Sequence, residues 1–432
     1  MTNLRVAVVG AGYVGLTTAV CLAESEHDTV CVDIDAKRVD QLNRGVAIID
    51  EPGLPLLLEQ GLQRGTLRFT CDYVDLADRD VVFVCVPTPS GPDGSADLSA
   101  VDAAVDRLAS VLPSGAVLAL KSTVPVGSTR RVAQRLRSNG IRAVSNPEFL
   151  RESHAVYDFR HPDRVLIGAD EDDAAAMVSD VYGAGAATLR MSPESAELAK
   201  YASNAFLAVK ISYANSLARL CAKVGADIDD VTRCMGADVR IGQHFLRPGP
   251  GWGGSCLPKD TAALLHTAQL NDVELLEVES ARTTNAAQPV RVADTLNRIM
   301  PAPLDHARVT ALGLTFKAGT SDVRDSPALT VCTELARRGA QITGYDPRLA
   351  SIDSAALRRS SIVPVDDPYL AAKDADAIVV LTEWPEFRDL NWPLIAEQAP
   401  GAVVVDTRNL LDAEALRDAG LRYAGNGIPF GF

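Results

Sequence analysis

Apolar residues in this chain come in short, continuous runs. The first run covers residues 4–9 and ends at a glycine-rich turn, after which residues 16–24 have the composition of a helix. Helical or loop segments separate the later runs, which lie at 29–33, 66–70, 80–86, 115–121, 140–145 and 164–168. Strands that alternate with helices in this way predict an α/β fold with a doubly wound parallel sheet.

One long helix is predicted to follow these strands. Ser192, Pro193 and Glu194 form a typical helix start, with a capping serine, proline at the first helical position and an acid in the first turn. The next helix-breaking residue is Gly225. The helix would therefore span about 32 residues, or roughly 48 Å, which is long enough to join two domains and to serve as a dimer interface.

A second set of strands is predicted near the C-terminus. Helices are expected at 227–241, 261–269 and 271–299, and a Pro-Ala-Pro boundary follows at 301–303. Further strands at 308–312, 340–345, 377–381 and 402–405 predict a second doubly wound unit, whose first turn lacks the glycine pattern of the N-terminal turn. Lys317 and Arg408 are the expected phosphate contacts of this unit. We expect three domains, at 1–191, 192–300 and 301–432.

Composition and charge narrow the class of protein. Hydrophobic residues make up 47% and charged residues 23% of the 432 residues, as in soluble globular proteins. The formal net charge of -14 argues against a nucleic-acid or anionic-membrane partner, because both bind positive surfaces. No targeting signal precedes the first strand, and no apolar run approaches the ~20 residues of a membrane span. We expect a cytoplasmic protein.

The cysteines and histidines predict no metal site. The eight cysteines show no paired short spacing, and most lie in apolar strand or helix patterns, so reduced thiols are expected. His154 and His161 are the closest pair among the six histidines, and their spacing matches no ligand motif.

The turn after the first strand has the dinucleotide-binding pattern. Gly10, Gly12 and Gly15 would allow a tight turn and close approach of a pyrophosphate to a helix N-terminus. Asp33 ends the second strand, where a carboxylate would hold the ribose hydroxyls and would repel a 2′-phosphate. NAD is therefore favoured over NADP, although Lys37 and Arg38 leave NADP open.

Polar residues cluster at the carboxyl ends of the later strands, where ligands bind in such sheets. Thr123, Glu148 and Glu152 lie there, and turn chemistry or helix capping would also explain them. On the long helix, Lys200 and Asn204 share a face because they are four residues apart. A solvated surface lysine is the alternative for Lys200.

The segment 248–260 has the composition of a covalent site. Cys256 lies in a glycine-rich loop, preceded by Ser255 and followed closely by Lys259 and Asp260. Glycines let backbone amides approach a ligand, and a cation such as Lys259 would lower the pKa of the thiol. The alternative is a cysteine buried as a small hydrophobe.

These motifs, in this order, resemble the UDP-glucose/GDP-mannose dehydrogenase family over the whole chain. The resemblance rests on the glycine turn at 10–15, on Val86-Pro87-Thr88-Pro89 and Lys121-Ser122-Thr123, on 146–152 and 253–260, and on the run from Phe316-Lys317 to Pro327. It implies an NAD-binding N-terminal domain, a central helical dimerisation region with the cysteine loop, and a C-terminal sugar-nucleotide domain.

The resemblance also implies the roles of individual residues. Cys256 would be the nucleophile, Lys200 and Asn204 would stabilise charge on the sugar oxygen, and Asp260 with Thr123 would handle water and protons. The remaining catalytic residue is Glu152. The cofactor contacts would be Gly10, Gly12, Tyr13, Val14, Gly15, Asp33, Arg38, Thr88, Thr123, Glu152, Lys259 and Arg324. The substrate contacts would be Glu148, Phe149, Leu150, Arg151, Glu152, Lys200, Asn204, Phe245, Leu246, Arg247, Pro248, Gly249, Gly253 and Lys317, with Arg240 reaching the substrate of a partner subunit.

The implied activity is NAD-dependent, four-electron oxidation of UDP-glucose to UDP-glucuronate through a Cys256 thiohemiacetal and thioester. Within the family, GDP-mannose or an N-acetylhexosamine nucleotide is the alternative substrate. Ser255 and the segment 258–260 favour glucose or mannose over the acetamido sugars. A single-step hydroxyacid dehydrogenase would need no Cys256, and a non-catalytic binding protein would be expected to lack Cys256, Lys200 or Asp260.

Overall fold

The protein is described by a computed structural model that covers residues 4–183, 185–429 and 431–432. Residues 1–3, part of the stretch where we expected no targeting signal, lie outside the described residues. The chain forms two compact units. Unit 1 comprises Met1–Ser203 and Ala262–Val273, and unit 2 comprises Asn204–Thr261 and Glu274–Phe432. The three-domain division stays a prediction.

Unit 1 is built on an eight-stranded sheet. Its strands are β1 (Arg5–Val9), β2 (Asp28–Val32), β3 (Leu67–Thr70), β4 (Val81–Val84), β5 (Val117–Leu120), β6 (Arg142–Ser145), β7 (Val165–Gly168) and β8 (Thr188–Met191). The order is β3-β2-β1-β4-β5-β6-β7-β8, and β7 runs antiparallel to β6 while the other neighbours are parallel. The expectation of a wholly parallel sheet is therefore wrong at this pair, because the connection from β6 to β7 returns the chain beside β6 in the opposite direction.

Helices cover both faces of this sheet. They are α1 (Tyr13–Glu24), α2 (Ala36–Asn43), α3 (Leu54–Arg64), α4 (Ser99–Val111), α5 (Ser128–Leu136), α6 (Ala155–Arg160) and α7 (Asp172–Tyr182). Alternate residues of β1 point to opposite faces, so Val6 and Val8 join one buried cluster while Ala7 and Val9 join the other. The continuous apolar runs of the sequence follow from burial on both faces.

The long central helix is confirmed. Helix α8 (Pro193–Val224) has 32 residues and begins and ends as the sequence predicted. Three shorter helices follow, α9 (Ile228–Ala237), α10 (Leu257–Gln269) and α11 (Leu276–Ala286), and then α12 (Gln288–Ile299). Helix α10 begins four residues before the predicted start at 261, since Pro258 fits its first turn. The predicted helix 271–299 is two helices, because the chain turns at 271–275 and breaks at Ala287.

Unit 2 contains a six-stranded, wholly parallel sheet. Its strands are β9 (Arg308–Leu312), β10 (Gln341–Tyr345), β11 (Ile362–Pro364), β12 (Ala377–Val380), β13 (Val403–Asp406) and β14 (Arg422–Gly425), in the order β11-β10-β9-β12-β13-β14. The flanking helices are α13 (Pro327–Arg337), α14 (Ser354–Arg359), α15 (Pro368–Ala372), α16 (Trp392–Gln398) and α17 (Ala413–Asp418). Two Rossmann-like units joined by a long helix confirm the predicted fold class. Of the helices that the structure describes, none has both the length and the apolar character needed to cross a membrane.

Candidate active site

The turn between β1 and α1 contains three glycines with different environments. A Cβ on Gly10 would lie 2.8 Å from the Cys85 carbonyl oxygen, and one on Gly15 would lie 1.8 Å from the Gly10 carbonyl oxygen. A Cβ on Gly12 would have no neighbour within 4 Å. Helix α1 begins directly after Gly12, and no side chain caps its first backbone N–H groups. Gly10 and Gly15 are required by the turn itself, whereas Gly12 leaves room for a phosphate.

Asp33 lies beside this turn, at the end of β2. Its Oδ2 accepts hydrogen bonds from the Ala11 N–H (2.7 Å) and from Arg38 Nη1 (3.1 Å), and its Oδ1 accepts one from the Asp35 N–H (2.9 Å). The carboxylate thus stands next to the open side of the turn, as the ribose of a dinucleotide requires. These residues fit NAD, because the space around Gly12 would accommodate its pyrophosphate and Asp33 would hold its ribose.

Tyr13 and Val14 contribute to this region mainly through packing. The Tyr13 hydroxyl donates to Glu51 and accepts from the Ser153 N–H (2.6 Å), and burial raises the pKa of Tyr13 well above its usual range. Val14 packs against the core beneath the sheet. The Tyr13 hydroxyl therefore links the end of the segment 146–153 to the helix that follows the glycine turn.

Thr88 and Thr123 are joined at the ends of β4 and β5. The Thr88 hydroxyl donates to the Thr123 carbonyl oxygen (2.9 Å), and both residues are buried. In the segment after β6, Glu152 is half-buried, whereas Arg151 is exposed and pairs with Asp158 (2.6 Å). Arg151 is thus directed into a surface ion pair.

Lys200 and Glu148 form a buried ion pair. Lys200 Nζ lies 3.2 Å from Glu148 Oε1, and both side chains are almost completely buried. The other Glu148 oxygen accepts from the Leu150 N–H. The Lys200 ammonium also lies 4.9 Å from the centre of the Phe149 ring, which Arg164 covers at 3.7 Å. The predicted surface alternative for Lys200 is therefore wrong.

Sequence reasoning missed the contact that fixes this part of α8. Glu197 is buried and its carboxylate accepts from the Gly127 N–H (2.6 Å), the Thr129 N–H (2.7 Å) and the Thr129 hydroxyl (2.6 Å), at the N-terminus of α5. Burial raises the pKa of Glu197. The signal in the sequence was Glu197 itself, an acid three residues before Lys200 that shares a helix face with Tyr201.

Cys256 lies immediately before α10, in unit 2. Its carbonyl oxygen accepts the first helical hydrogen bond, from the Asp260 N–H (2.9 Å), and the Ser255 hydroxyl lies 3.6 Å from its sulfur. The residue is half-buried. A thiolate at a helix N-terminus is stabilised by the helix dipole and by unpaired N–H groups, so this position suits a nucleophile better than an inert core cysteine.

Asp260 is the centre of a second buried cluster in unit 2. Its Oδ2 accepts from Asn204 Nδ2 (2.6 Å) and its Oδ1 accepts from Lys259 Nζ (2.5 Å). The Asp260 side chain is fully buried. Lys259 therefore pairs with Asp260, and the expectation that its charge also lowers the pKa of the Cys256 thiol stays a prediction.

Close packing fixes the glycine-rich loop before Cys256. The Trp252 N–H donates to Asn285 (2.8 Å) and its indole N–H donates to Ser212 (2.8 Å). A Cβ on Gly253 would lie 1.9 Å from the Asp325 carbonyl oxygen, and one on Gly254, where φ is +81°, would lie 2.7 Å from the Phe316 ring. The loop thus packs closely against the segment 313–327 of the same unit.

The other predicted substrate residues of unit 2 differ in their contacts and in their burial. Gly249 donates to Asn215 (2.8 Å), and a Cβ there would lie 2.8 Å from Arg408 Nη1, which brings this loop next to a cation. Lys317 lies 5.6 Å from the centre of the Phe316 ring. Around them, Leu246 and Pro248 are buried and Phe245 and Arg247 are exposed.

Two predicted arginines each pair with a neighbouring carboxylate. Arg324 pairs with Asp322 (2.6 Å), and Arg240 pairs with Asp238 (2.5 Å) with 85% of its side chain exposed. Within the described ranges, no group of histidines, cysteines and carboxylates forms a metal site, and all eight cysteines are thiols.

Comparisons with known proteins identify the family. Residues 4–185 match the NAD binding domain of the UDP-glucose/GDP-mannose dehydrogenase family, residues 194–287 match its central domain, and residues 310–413 match its UDP binding domain. A UDP-glucose 6-dehydrogenase from Rhizobium meliloti is 42% identical over 99% of this chain and 100% of its own length.

Solved structures agree with this match. A UDP-glucose dehydrogenase from Pyrobaculum islandicum has a TM-score of 0.87 and 35% identity, covering 97% of this chain and 96% of its own. A UDP-D-ManNAc dehydrogenase from Pyrococcus horikoshii has the same TM-score, 0.87, with 29% identity, covering 99% of this chain and 100% of its own. The shared fold therefore does not by itself select the sugar. On these matches, the chain belongs to the UDP-glucose/GDP-mannose dehydrogenase family, and its cofactor is NAD.

Proposed function

We propose that this protein oxidises UDP-glucose to UDP-glucuronate, with two NAD consumed for each sugar. The observation that carries the proposal is the position of Cys256 at the N-terminus of α10, four residues before the buried Asp260. The 42% identity to a UDP-glucose 6-dehydrogenase supports UDP-glucose as the substrate.

The reaction must remove four electrons from a primary alcohol. NAD supplies the acceptor, since each equivalent takes up two electrons as a hydride from C6 of the sugar. The first oxidation leaves an aldehyde and releases one proton. The Cys256 thiol then adds to the aldehyde to form a thiohemiacetal, and the loss of a second hydride from its carbon and of the proton from its hydroxyl leaves a thioester. Water displaces the sulfur, which returns as the thiol, and the product is the carboxylate.

Each step gives a task to residues of this chain. Cys256 holds the aldehyde covalently, so the aldehyde cannot escape between the two oxidations. Lys200 and Asn204 donate to the sugar oxygen as negative charge develops on it, and the loss of one such donor typically costs about 10²–10³-fold in rate. Asp260 and Thr123 orient water, and the Asp260 carboxylate accepts its proton. Glu148 and Glu152 line the sugar, with Glu148 holding the Lys200 ammonium in place.

The binding residues divide between the two ligands. For NAD we propose the contacts Gly10, Gly12, Tyr13, Val14, Gly15, Asp33, Arg38, Thr88, Thr123, Glu152, Lys259 and Arg324. For the sugar nucleotide we propose the loop Phe245, Leu246, Arg247, Pro248 and Gly249 together with Phe149, Leu150, Arg151, Gly253 and Lys317. The nearby Arg408 gives this loop a cation that suits a diphosphate.

We also propose a homodimer formed through α8. Phe206, Tyr213 and Leu220 are spaced seven residues apart, and they are 64%, 53% and 55% exposed. Val224 extends this stripe and is 66% exposed. An apolar seam at heptad spacing fits the same seam of a second copy. Light scattering should find a dimer at micromolar concentration, and Phe206→Glu with Tyr213→Glu should give a monomer; a monomeric wild-type protein would contradict the proposal.

Arg240 provides a sharper test of the dimer. We propose that it reaches the substrate of the partner subunit, because it lies on an exposed segment with its guanidinium directed to solvent. Arg240→Ala and Cys256→Ser should each be nearly inactive alone. Mixed dimers would pair one intact cysteine with one intact arginine, so co-refolded protein should recover about a quarter of wild-type activity. No recovery would assign Arg240 to its own subunit.

A cytoplasmic location completes the proposal. The thiols buried in both units, such as Cys85 and Cys332, suit a reducing compartment, where NAD is also available. Cell fractionation with an antibody to the protein would test it.

The direct test of the substrate is NAD reduction with a panel of sugar nucleotides. UDP-glucose should be oxidised, while GDP-mannose and UDP-N-acetylmannosamine should be poor substrates. Cys256→Ser should still bind NAD but should not complete acid formation. Robust turnover to UDP-glucuronate by this variant would contradict the covalent route, and turnover of GDP-mannose alone would keep the mechanism and change the substrate.

A further inference from the structure

Two side chains of helix α11 hold the chain on both sides of Cys256. Arg282 and Asn285 are three residues apart on α11, so they lie on one face of the helix. Asn285 contacts Trp252, four residues before the cysteine. Arg282 contacts Pro258, two residues after it. All of these residues belong to unit 2, and none of the roles proposed above uses either side chain of α11.

Asn285 binds the backbone of Trp252 with both polar atoms of its side chain. The Trp252 N–H donates to Asn285 Oδ1 (2.8 Å), and Asn285 Nδ2 donates to the Trp252 carbonyl oxygen (2.9 Å). The Trp252 indole N–H donates to the Ser212 hydroxyl (2.8 Å), which itself donates to the Ala281 carbonyl oxygen of α11 (2.8 Å). Both the backbone and the side chain of Trp252 are therefore connected to α11.

Arg282 binds the first turn of α10, directly after the cysteine. Its Nη1 donates to the Pro258 carbonyl oxygen (2.9 Å) and to the Thr261 hydroxyl (2.7 Å), and Thr261 is fully buried. The first hydrogen bond of this turn runs from the Asp260 N–H to the Cys256 carbonyl oxygen (2.9 Å). Arg282 therefore fixes the helical turn to which the backbone of Cys256 is bonded.

The loop between these two contacts has little stiffness of its own. Four of the six residues 249–254 are glycines, and φ is +130° at Gly251 and +81° at Gly254. Glycines lose more conformational freedom on ordering than other residues, so such a loop keeps one shape only when its surroundings impose it. A cleft of about 240 Å³ remains beside Arg282 and Asn285. Hydrogen bonds, and not close packing, therefore hold the loop at this helix.

We propose that Arg282 and Asn285 are positioning residues for Cys256, which keep its sulfur where it can capture the aldehyde formed by the first oxidation. This inference rests on the proposed function. The first hydride transfer makes no bond to sulfur, so it does not depend on the position of the thiol. Capture forms the bond between sulfur and the aldehyde carbon, while the thiol proton passes to the aldehyde oxygen. A displacement of about 1 Å can slow such a step by about 100-fold.

The test uses Arg282→Met, Asn285→Ala and the conservative variant Arg282→Lys. The readout is the NADH formed per limiting UDP-glucose with semicarbazide present, which traps free aldehyde as a semicarbazone. Wild type should give two NADH per sugar. Arg282→Met and Asn285→Ala should fall towards one, with the missing product recovered as semicarbazone and kcat for acid formation lower by about tenfold or more. Arg282→Lys keeps a donor and should lie between Arg282→Met and wild type.

Thr283→Ala is the matched control on the same helix. Thr283 lies between the two positioning residues, is exposed, and donates to the Glu279 carbonyl oxygen of α11 (2.9 Å). This variant should keep two NADH per sugar. A merely structural role for Arg282 and Asn285 predicts a lower melting temperature and a slower reaction, but still two NADH per sugar and no trapped aldehyde. That result would overturn the inference.

Hydrogen exchange reports on the loop without any substrate. Peptides that cover 248–257 should exchange at least about tenfold faster in Asn285→Ala than in wild type, because the Trp252 N–H loses its acceptor. Strand β9 of the same unit should exchange at the wild-type rate, which shows that the change is local. Unchanged exchange at 248–257 would overturn the inference.

Two further outcomes are separated by this design. If Asn285→Ala does not fold, Arg282→Met decides the question, with exchange followed at 257–262 and the same count of NADH. If wild type gives only one NADH per UDP-glucose, the proposed function fails, while the exchange rates still decide whether α11 holds the loop.

Discussion

The turns that follow β1 and β9 begin in the same way and end differently. In unit 1, Gly10 has φ +98° and donates to the Val32 carbonyl oxygen (2.7 Å), and the next N–H, of Ala11, donates to Asp33 (2.7 Å). In unit 2, Gly313 has φ +88° and donates to the Tyr345 carbonyl oxygen (2.8 Å). The next N–H, of Leu314, donates to Asp346 (2.8 Å). In both units, therefore, a glycine with positive φ follows the first strand, and the next N–H donates to an aspartate at the end of the neighbouring strand.

The segments that follow Gly10 and Gly313 differ in length, and this difference determines the contacts of Asp33 and Asp346. Helix α1 begins three residues after Gly10, whereas α13 begins only at Pro327. The longer segment in unit 2 brings the Thr315 N–H (3.2 Å) to Asp346 Oδ2, and the Trp384 indole N–H (3.1 Å) binds the same oxygen. Asp346 is 1% exposed, compared with 7% for Asp33. The same position thus serves internal structure in unit 2, whereas in unit 1 we propose that it binds the cofactor.

The largest effect should come from Asp346→Ala. This change leaves the buried donors of Leu314, Thr315 and Trp384 without their acceptor, so we expect a loss of about 3–5 kcal/mol in the free energy of unfolding of unit 2. All three tryptophans, Trp252, Trp384 and Trp392, belong to unit 2, so urea unfolding followed by tryptophan fluorescence reports on this unit. A variant as stable as wild type would contradict the structural role of Asp346.

The glycine turn of unit 1 gives a matched pair of variants. Gly12→Ala meets no protein atom within 4 Å, so it should leave the stability unchanged and should raise KM for NAD by roughly 10–100-fold, by obstructing the pyrophosphate. Gly15→Ala would place a Cβ 1.8 Å from the Gly10 carbonyl oxygen, so it should destabilise unit 1 as well. Steady-state kinetics and thermal melting separate the two. Normal KM in Gly12→Ala would show that this space is not used by the cofactor.

Asp33→Ala should change cofactor choice, and it should also lower stability because the N–H groups of Ala11 and Asp35 lose their acceptor. Removal of the carboxylate takes away the contact to the ribose and leaves Arg38 unpaired beside it. We expect kcat/KM for NAD to fall by about tenfold and the ratio of NADP to NAD use to rise, since repulsion of a 2′-phosphate is lost. The measurement is kcat/KM with each cofactor. An unchanged ratio would remove Asp33 from the ribose site.

The smallest effect concerns thiol reactivity, which should follow burial in both units. Burial raises the pKa of Cys21 and Cys85 in unit 1, and of Cys332 in unit 2, to about 12. These thiols stay protonated at pH 8, so iodoacetamide should label them only after unfolding. Cys71 and Cys234 are exposed and should react in the folded protein. Peptide mapping by mass spectrometry checks this, and early labelling of Cys332 would contradict it.

The sequence predicted what local chemistry determines. The helix start at Ser192 and its stop at Gly225 identified α8, and the glycine spacing identified the β1–α1 turn. The short edge strands β8, β11 and β14 were missed, because three or four residues at a sheet edge carry too little pattern. The contacts that fix the site depend on tertiary structure, as with the burial of Lys200 and the hydrogen bond from Asn204 to Asp260. The hydrogen bond from the Trp384 indole to Asp346 was likewise not predictable, because the two residues are 38 positions apart in the sequence.

The measurement that most directly tests the account is the number of NADH molecules formed per limiting UDP-glucose. The covalent route through Cys256 predicts two NADH and one UDP-glucuronate for each sugar, with no aldehyde in solution. One NADH per sugar, with free aldehyde as the product, would contradict the account, because the thioester would then play no part.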